Sequence, residues 1–252
     1  MILISDLQYF PPIILIKTAI EISHIKFDIY EEYRKMSFRN RCVVAGGAGP
    51  INLSVPLLGG RNQRRPMIEV EIDNKSDWQG QHWKTITSCY NRSPWFEFYK
   101  HELEELYKQR VRLLVDWNLK CWEWVMAKLD AGIHWELARG PEGVSSTSSA
   151  VASGTMPGSQ DAIMDGEAHP GITEETARSQ VAHLSLDQPG EFLDWRCKLM
   201  PRSINNDFPE PVRYRQVFEE RIGFIPHLSI LDLLFCEGKR SVDILRASKL
   251  PS

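Results

Sequence analysis

The first third of the chain alternates short apolar runs with turn residues, a pattern that predicts strands. Met1 to Leu7 is an apolar run suited to a buried strand, and Pro11-Pro12 ends it because proline gives no donor to a strand ladder. A helix is predicted over about Ile13 to Ile22. Four further strands are predicted at Phe27 to Tyr30, Cys42 to Ala45, Ile51 to Val55 and Ile68 to Ile72. In the last of these, apolar and acidic residues alternate, which predicts one solvated face.

Aromatic residues at helical spacing dominate the middle of the chain and predict three helices. Ser76 to Gln79 fits a capping box, so the first helix should start there with Ser76 as its N-cap. Ser93-Pro94 predicts the second start, with Ser93 as N-cap and proline at the first helical position. The third helix is predicted from about Leu114 to Leu129, stopping near Gly132. Short connections make the three helices packing neighbours.

A last helical pattern begins at Ser229, which with Asp232 forms a start resembling a capping box, and Gly238 is a natural stop. Together the elements predict an α+β fold. We expect a mainly N-terminal β-sheet, packed against the cluster of three central helices and closed by the C-terminal helix.

Composition separates one segment from the rest of the chain. Residues 140–190, here called the acidic insert, contain no Phe, Trp or Tyr, and 23 of these 51 residues are Gly, Pro, Ser or Thr. The acidic insert carries seven acidic residues and one basic residue, which leaves 29 basic and 26 acidic residues elsewhere, a net charge of +3. So little apolar surface does not offset the cost of ordering the backbone. We therefore predict a single domain over residues 1–252, interrupted by a loop whose deletion, at residues 142–188, leaves the fold intact.

Several classes of protein are excluded by the same composition. No apolar stretch approaches the roughly 20 residues that cross a bilayer, and the N-terminus lacks the parts of a secretory leader. The five cysteines are scattered without a C-x-x-C pair, which argues against a disulfide framework or a cysteine zinc site. We expect a cytoplasmic protein without a bound metal or cofactor.

Common cofactor and nucleophile motifs are missing from the sequence, so candidate chemistry depends on a few polar clusters. Gly46 to Gly49 is better explained as a hairpin turn than as a phosphate loop. In Arg39-Asn40-Arg41, two guanidiniums flank an amide, a combination that suits a carboxylate or phosphate ligand. A solvated turn with surface ion pairs is the alternative for this cluster.

Two further clusters leave the same choice open between structure and function. His82 is a candidate general base because a histidine titrates near neutrality, although a histidine on an apolar helix face is more often a hydrogen-bonded core residue. Gln8-Tyr9 follows the first predicted strand, where ligands of open α/β sheets gather, but it also suits a rigid strand exit.

An ordered set of short fragments resembles the WbqC-like proteins of bacteria. The fragments extend over nearly the whole chain except the acidic insert, which is itself a departure from shorter relatives. They are Gln8-Tyr9-Phe10-Pro11, Phe38-Arg39-Asn40-Arg41, Leu53-Ser54-Val55-Pro56, Trp78 with His82-Trp83, Tyr90 with Pro94-Trp95-Phe96, Asp194-Trp195-Arg196, Tyr214 with Gln216-Val217-Phe218, and Phe224 with Leu228 to Phe235.

The resemblance implies a set of polar site residues. His82 is the catalytic candidate, and the other matching polar positions are candidates for substrate binding. Those positions are Gln8, Tyr9, Arg39, Asn40, Arg41, Tyr90 and Asp194.

The resemblance also implies a role in surface-polysaccharide biosynthesis of the O-antigen type, on a nucleotide-activated or lipid-linked sugar. The first hypothesis is a transferase adding an acyl or aminoacyl group, with Arg39 and Arg41 on phosphate and His82 as base. The second is a non-catalytic protein that binds a glycan or a partner enzyme in the same pathway. Nucleic acid is not an expected partner, because the body has a net charge of only +3 and no basic helix.

Overall fold

The computed structural model describes residues 1–138 and 191–248, and all structural statements below refer to them. The strands in chain order are β1 (Ile2–Asp6), β2 (His24–Asp28), β3 (Arg41–Gly46), β4 (Gly49–Ser54), β5 (His134–Leu137) and β6 (Phe192–Asp194). The helices are α1 (Ile13–Ile22), α2 (Trp78–Tyr90), α3 (Phe96–Lys108), α4 (Leu114–Leu129), α5 (Ile204–Asp207), α6 (Glu219–Ile222), α7 (Ile230–Glu237) and α8 (Ser241–Ala247). The predicted α+β class is confirmed.

Four strands form a parallel sheet in the order β5-β2-β1-β6. Helix α1 connects β1 to β2, as a parallel pair requires. Strands β3 and β4 form a separate antiparallel hairpin in which Gly46 is paired with Gly49, so the predicted hairpin turn is confirmed. No described helix meets the length and hydropathy that a membrane crossing requires.

Two predicted strands differ from the structure. Over Ile68 to Ile72 the chain forms a 3-10 turn at Met67–Glu69 and then only isolated bridges, so the strand prediction is wrong. The alternation of apolar and acidic residues in this segment matches the alternation of its buried side chains. Among the described residues, however, no neighbouring strand forms a hydrogen-bonded ladder with it. Strand β2 ends at Asp28, because the Asp28 carboxylate accepts the backbone N–H groups of Tyr30 and Glu31 and turns the chain.

The predicted helix starts are displaced by one and two residues. Asp77, not Ser76, caps α2, and its carboxylate accepts the Gly80 N–H at 3.2 Å. The Ser93 hydroxyl donates to the Tyr90 carbonyl at 2.7 Å, so it closes the end of α2 and α3 begins only at Phe96. The predicted cap of α7 at Ser229 is confirmed by its bond from the Leu231 N–H.

Aromatic side chains fill the space between the sheet and the central helices. Trp117 and Trp122 of α4 are fully buried, and Trp122 lies edge-on to Phe27 of β2 with ring centroids 4.7 Å apart. Tyr9, just beyond β1, lies 6.0 Å from the Trp117 ring. The core therefore holds β1, β2 and α4 in fixed relative positions.

The sheet topology sharpens the prediction for the acidic insert, which itself lies outside the described residues. β5 and β6 occupy opposite edges of the sheet, about three strand spacings or ~14 Å apart. A parallel crossover needs at least about 10–12 residues. Deleting 142–188 leaves only 138–141 and 189–191 to make this connection, so we expect a simple deletion to lower the melting temperature by several degrees.

Replacing 142–188 with a Gly/Ser linker of about ten residues should restore the melting temperature and a single cooperative transition. Thermal unfolding followed by circular dichroism compares the two variants with the full chain. Loss of cooperativity in the linker variant would contradict the prediction that one domain surrounds the acidic insert.

Candidate functional site

Three neighbouring strands of the parallel sheet each end in an aspartate. Asp6 closes β1, Asp28 closes β2 and Asp194 closes β6, and Asp6 and Asp28 are paired in the strand register. Ligands of open parallel sheets bind outside these carboxyl ends, where loops leave the strands in different directions. This edge is therefore the first place to look for a site.

Arg196 joins these carboxylates. Its guanidinium donates to Asp28 Oδ2 at 3.0 Å and to Asp194 Oδ2 at 2.8 Å, and lies 3.7 Å from Glu31 Oε1. The hydrogen bond from Arg196 lowers the pKa of Asp194. Arg196 thus holds the ends of β2 and β6 together.

Arg39 reaches the same edge from the loop before β3 and is fully buried. Its Nη2 group donates to Glu31 Oε2 and lies 3.5 Å from Cys197 Sγ, while Nε lies 3.7 Å from Asp6 Oδ2. Within the described residues, neither Nε nor Nη1 of Arg39 has a hydrogen-bond acceptor. Two donors of a buried guanidinium are thus left without a partner.

Gln8 adds an unpartnered acceptor next to these donors. Its Nε2 group donates to Asp6 Oδ2 at 3.2 Å, and its buried Oε1 has no donor in the described part of the chain. We name the whole group the sheet-edge cluster. Its members are Asp6, Gln8, Asp28, Glu31, Arg39, Asp194, Arg196 and Cys197.

The sheet-edge cluster holds four carboxyl groups and two guanidiniums. Burial raises the pKa of Glu31, although Arg39 opposes the shift. A carboxylate with a raised pKa is a better proton acceptor than a solvated one. The arrangement can therefore bind hydroxyl or amino groups and accept a proton from one of them.

Asn40 and Arg41 lie outside the sheet-edge cluster. The Asn40 amide accepts the Tyr33 hydroxyl at 3.0 Å and donates to the Val55 carbonyl at 2.9 Å, so it fixes the loop to the end of β4. Arg41 is half-buried, and within the described residues its guanidinium makes one hydrogen bond, to the sulfur of Met36 at 3.8 Å. Among described residues no carboxylate pairs with Arg41.

Tyr9 and His82 form a second, separate network in the core. The Tyr9 hydroxyl bonds to His82 Nδ1 at 3.0 Å and to the Tyr107 hydroxyl. Burial lowers the pKa of His82 to about 4, so its ring is neutral at neutral pH. The structure therefore gives His82 the surroundings of a hydrogen-bonded core histidine, and its role as a catalytic base stays a prediction.

Tyr90 belongs to a third network, at the start of α7. Its hydroxyl donates to Asp232 Oδ1 at 2.6 Å and accepts the Ala45 N–H at 2.8 Å, and the Tyr214 hydroxyl donates to Asp232 Oδ2 at 2.6 Å. Burial raises the pKa of Asp232 to about 6, while the bonds from Tyr214 and Tyr90 oppose it. This network ties α2, β3 and α7 together.

A sequence model of the WbqC-like protein family matches residues 8–163, more than half of the chain. The chain belongs to the WbqC-like protein family. Neither curated proteins nor solved structures yield a match. The resemblance inferred from the sequence is thereby confirmed.

The part of this WbqC-like protein that matches the family contains seven of the eight predicted site residues. Asp194 lies beyond the match, as do Arg196 and Cys197 of the sheet-edge cluster. Of the predicted residues, the structure brings only Gln8, Arg39 and Asp194 into one cluster. Tyr9 and His82 share the second network, Tyr90 belongs to the third, Asn40 is bonded to Tyr33 and Val55, and Arg41 has no carboxylate partner among the described residues.

Sequence reasoning missed five members of the sheet-edge cluster in this WbqC-like protein. A usable signal was present, since Asp6 and Asp194 close short apolar runs and Asp28 follows the alternating residues Ile25-Lys26-Phe27. An acidic residue just after each of several buried strands predicts polar side chains at one sheet edge. Glu31 and Cys197 carried no such pattern.

Two grooves of about 280 Å³ each lie elsewhere on the surface of this WbqC-like protein. One lies between the start of α2 and the end of α3, beside Asp77 and Lys108, and the other lies beside Pro211 and His227. Neither groove is lined by a member of the sheet-edge cluster.

Proposed function

We propose that this protein is a transferase that acts on a phosphate-bearing activated sugar bound at the sheet-edge cluster. The proposed role in surface-polysaccharide biosynthesis rests on the family resemblance. The binding of a hydroxylated ligand rests on the geometry.

The observation that carries the proposal is a pair of complementary unpartnered groups. Arg39 offers buried N–H donors, and Gln8 offers a buried carbonyl oxygen, both beside Asp6 Oδ2. A buried polar group without a partner costs about 1–3 kcal/mol, and more if it is charged. A sugar hydroxyl both accepts and donates, so its chemistry matches both kinds of unpartnered group.

Arg41 supports the phosphate part of the proposal. The charge of Arg39 is already met by Glu31 and Asp6, whereas no described carboxylate meets that of Arg41. Arg41 follows Arg39 by two residues, and the Asn40 amide between them accepts the Tyr33 hydroxyl at 3.0 Å. Arg41 can therefore bind a phosphate next to the sugar held by Arg39.

Calorimetric titration of the full chain with UDP-glucose, and with UDP alone, tests the proposal. We expect Arg41→Gln to weaken UDP-glucose binding by about 10- to 100-fold, since a charge-assisted hydrogen bond contributes about 1.5–3 kcal/mol. The matched control is Arg112→Gln, an exposed arginine whose partner is Glu71. This control should bind as the parent does.

Equal affinity of Arg41→Gln and the parent for UDP-glucose would refute the phosphate assignment. If UDP binds as tightly as UDP-glucose, the sugar is not recognised and the role of Gln8 and Arg39 is wrong. Binding without turnover in the presence of acyl donors would favour the non-catalytic glycan-binding hypothesis.

A further inference from the structure

We propose that Cys197 is the nucleophile that carries the transferred group as a thioester, with Glu31 as the base that takes its proton. This inference rests on the proposed function, because it names acyl transfer as the reaction of the same site. It depends on three contacts around one sulfur atom.

The Cys197 thiol lies between an acceptor and a cation. Its Sγ atom is 3.6 Å from Glu31 Oε2 and 3.5 Å from Arg39 Nη2. A carboxylate in reach of the S–H group can remove the proton, and a guanidinium beside the sulfur stabilises the resulting thiolate. Cys197 is also half-buried, whereas the other four cysteines are buried.

The backbone presents this thiol in an uncommon conformation. Cys197 follows the end of β6 by three residues and has a φ of 58°, in the left-handed region. Its N–H donates to Asp6 Oδ1 at 3.2 Å, which holds the turn against the end of β1. Such a conformation in a residue with a Cβ persists only where surrounding contacts enforce it.

Arg39 supplies an independent indication that a ligand belongs beside the sulfur. Its side chain is fully buried, one terminal nitrogen contacts Cys197 Sγ, and the other, Nη1, has no acceptor in residues 1–138 or 191–248. An acyl group on the sulfur has a carbonyl oxygen that can accept a hydrogen bond from Arg39 Nη1. Donors of this kind stabilise the negative charge that forms on that oxygen during acyl transfer.

The proton balance explains why a base is needed. Burial raises the pKa of the Cys197 thiol, although the hydrogen bond from Arg39 opposes the shift, so the thiol is protonated at neutral pH. Burial also raises the pKa of Glu31, which makes this carboxylate a stronger acceptor for the thiol proton.

The reaction then proceeds in two balanced halves, with an acyl thioester as the donor. Glu31 takes the thiol proton while Sγ attacks the donor carbonyl carbon. The new S–C bond forms, the donor C–S bond breaks, and the departing thiolate takes the proton from Glu31. In the second half, an amino or hydroxyl group of the bound sugar attacks the Cys197 thioester. Its proton passes through Glu31 to Cys197 Sγ, and the product is the N- or O-acylated sugar.

Acylation of the full chain tests the assignment. We expect acetyl-coenzyme A or p-nitrophenyl acetate to add one acetyl group to Cys197, detected by intact-mass and peptide mass spectrometry. Cys197→Ser should lose this thioester, and Glu31→Gln should form it at least about 100-fold more slowly. Cys89→Ser, on α2 and outside the sheet-edge cluster, is the matched control and should acylate normally.

Addition of UDP-glucosamine to the acetylated protein should release the acetyl group from Cys197 and yield N-acetylated sugar. A parent protein that binds nucleotide sugar but forms no adduct with either donor would overturn the role of Cys197 and leave the proposed function standing. Acylation of Cys197 without any nucleotide-sugar binding would support the thiol chemistry and refute the proposed function. An adduct rate unchanged in Glu31→Gln would overturn the role of Glu31.

Discussion

Replacement of Asp232 by alanine is expected to lower the free energy of unfolding by about 3 kcal/mol at neutral pH. The side chain is fully buried and accepts hydroxyl protons from Tyr90 and Tyr214, both at 2.6 Å. Alanine leaves both buried hydroxyls without this acceptor. Asp232→Asn keeps one acceptor and the volume, so its loss should be about 1 kcal/mol.

The free energy of unfolding that these two variants lose should increase as the pH falls from 7 to 4. The pKa of Asp232 is raised from 3.8 to about 6, so the folded state holds its proton more tightly than the unfolded state. The stabilisation from this proton is fully present below about pH 4 and is lost as the pH rises through 6. It amounts to about 3 kcal/mol, which both variants lack.

Urea unfolding followed by tryptophan fluorescence at pH 7 and pH 4.5 measures these differences. Asp243→Ala on α8 is the matched control, because its carboxylate is exposed and its loss should stay within about 0.5 kcal/mol. A loss for Asp232→Ala that is no larger than that of Asp243→Ala, or that shrinks at low pH, would contradict the role given to the buried carboxylate.

Replacement of Arg39 by methionine is expected to lower the free energy of unfolding by about 4 kcal/mol. Methionine fills much of the volume but leaves the Asp6 and Glu31 carboxylates without the guanidinium between them. Removing one partner of a buried ion pair costs more than removing both, because the remaining charge stays desolvated. The double variant Arg39→Met/Glu31→Gln should therefore recover about 1–2 kcal/mol of the loss.

The double-mutant cycle, measured by urea unfolding, checks this expectation. The control pair is Arg112→Met with Glu71→Gln, an exposed ion pair whose coupling should be below about 1 kcal/mol. If the Arg39–Glu31 coupling is no larger than this, the ion pair does not hold the loop before β3 against the sheet.

Local sequence patterns predicted a helix or strand well where residues adjacent in the chain favour the same structure. The bounds of α4 match the periodicity, because a stripe of apolar residues at helical spacing has one way to be buried. Helix α1 also has the predicted bounds, although its residues from Ile13 to Ile20 are buried on every side. Ile68 to Ile72 shows the limit of this reasoning. Its alternation is compatible with a strand, but a ladder also needs a partner strand, and distant residues decide whether one is present.

The candidate site was predictable only in part for the same reason. Arg39 and Gln8 stand out locally as polar residues next to apolar runs, and Asp194 closes a short apolar segment. Cys197 has no local signal, since its environment comes from Glu31 and Arg39, more than 150 residues earlier in the chain. The hydrogen-bond partner of His82 likewise comes from a distant segment: it is Tyr9, just beyond β1, which also bonds to Tyr107 of α3.

By itself, the sequence determined the α+β class, the central helices, the hairpin and membership of the WbqC-like family. Each of these depends on the order of residue types along the chain. The tertiary structure alone decided which polar residues meet, placing Gln8 and Arg39 with Cys197 and placing Tyr9 and His82 in the core. The physical reason is that a side chain's charge, pKa and free donors depend on what is packed around it. In a parallel sheet, the residues that meet at one edge come from strands far apart in the chain.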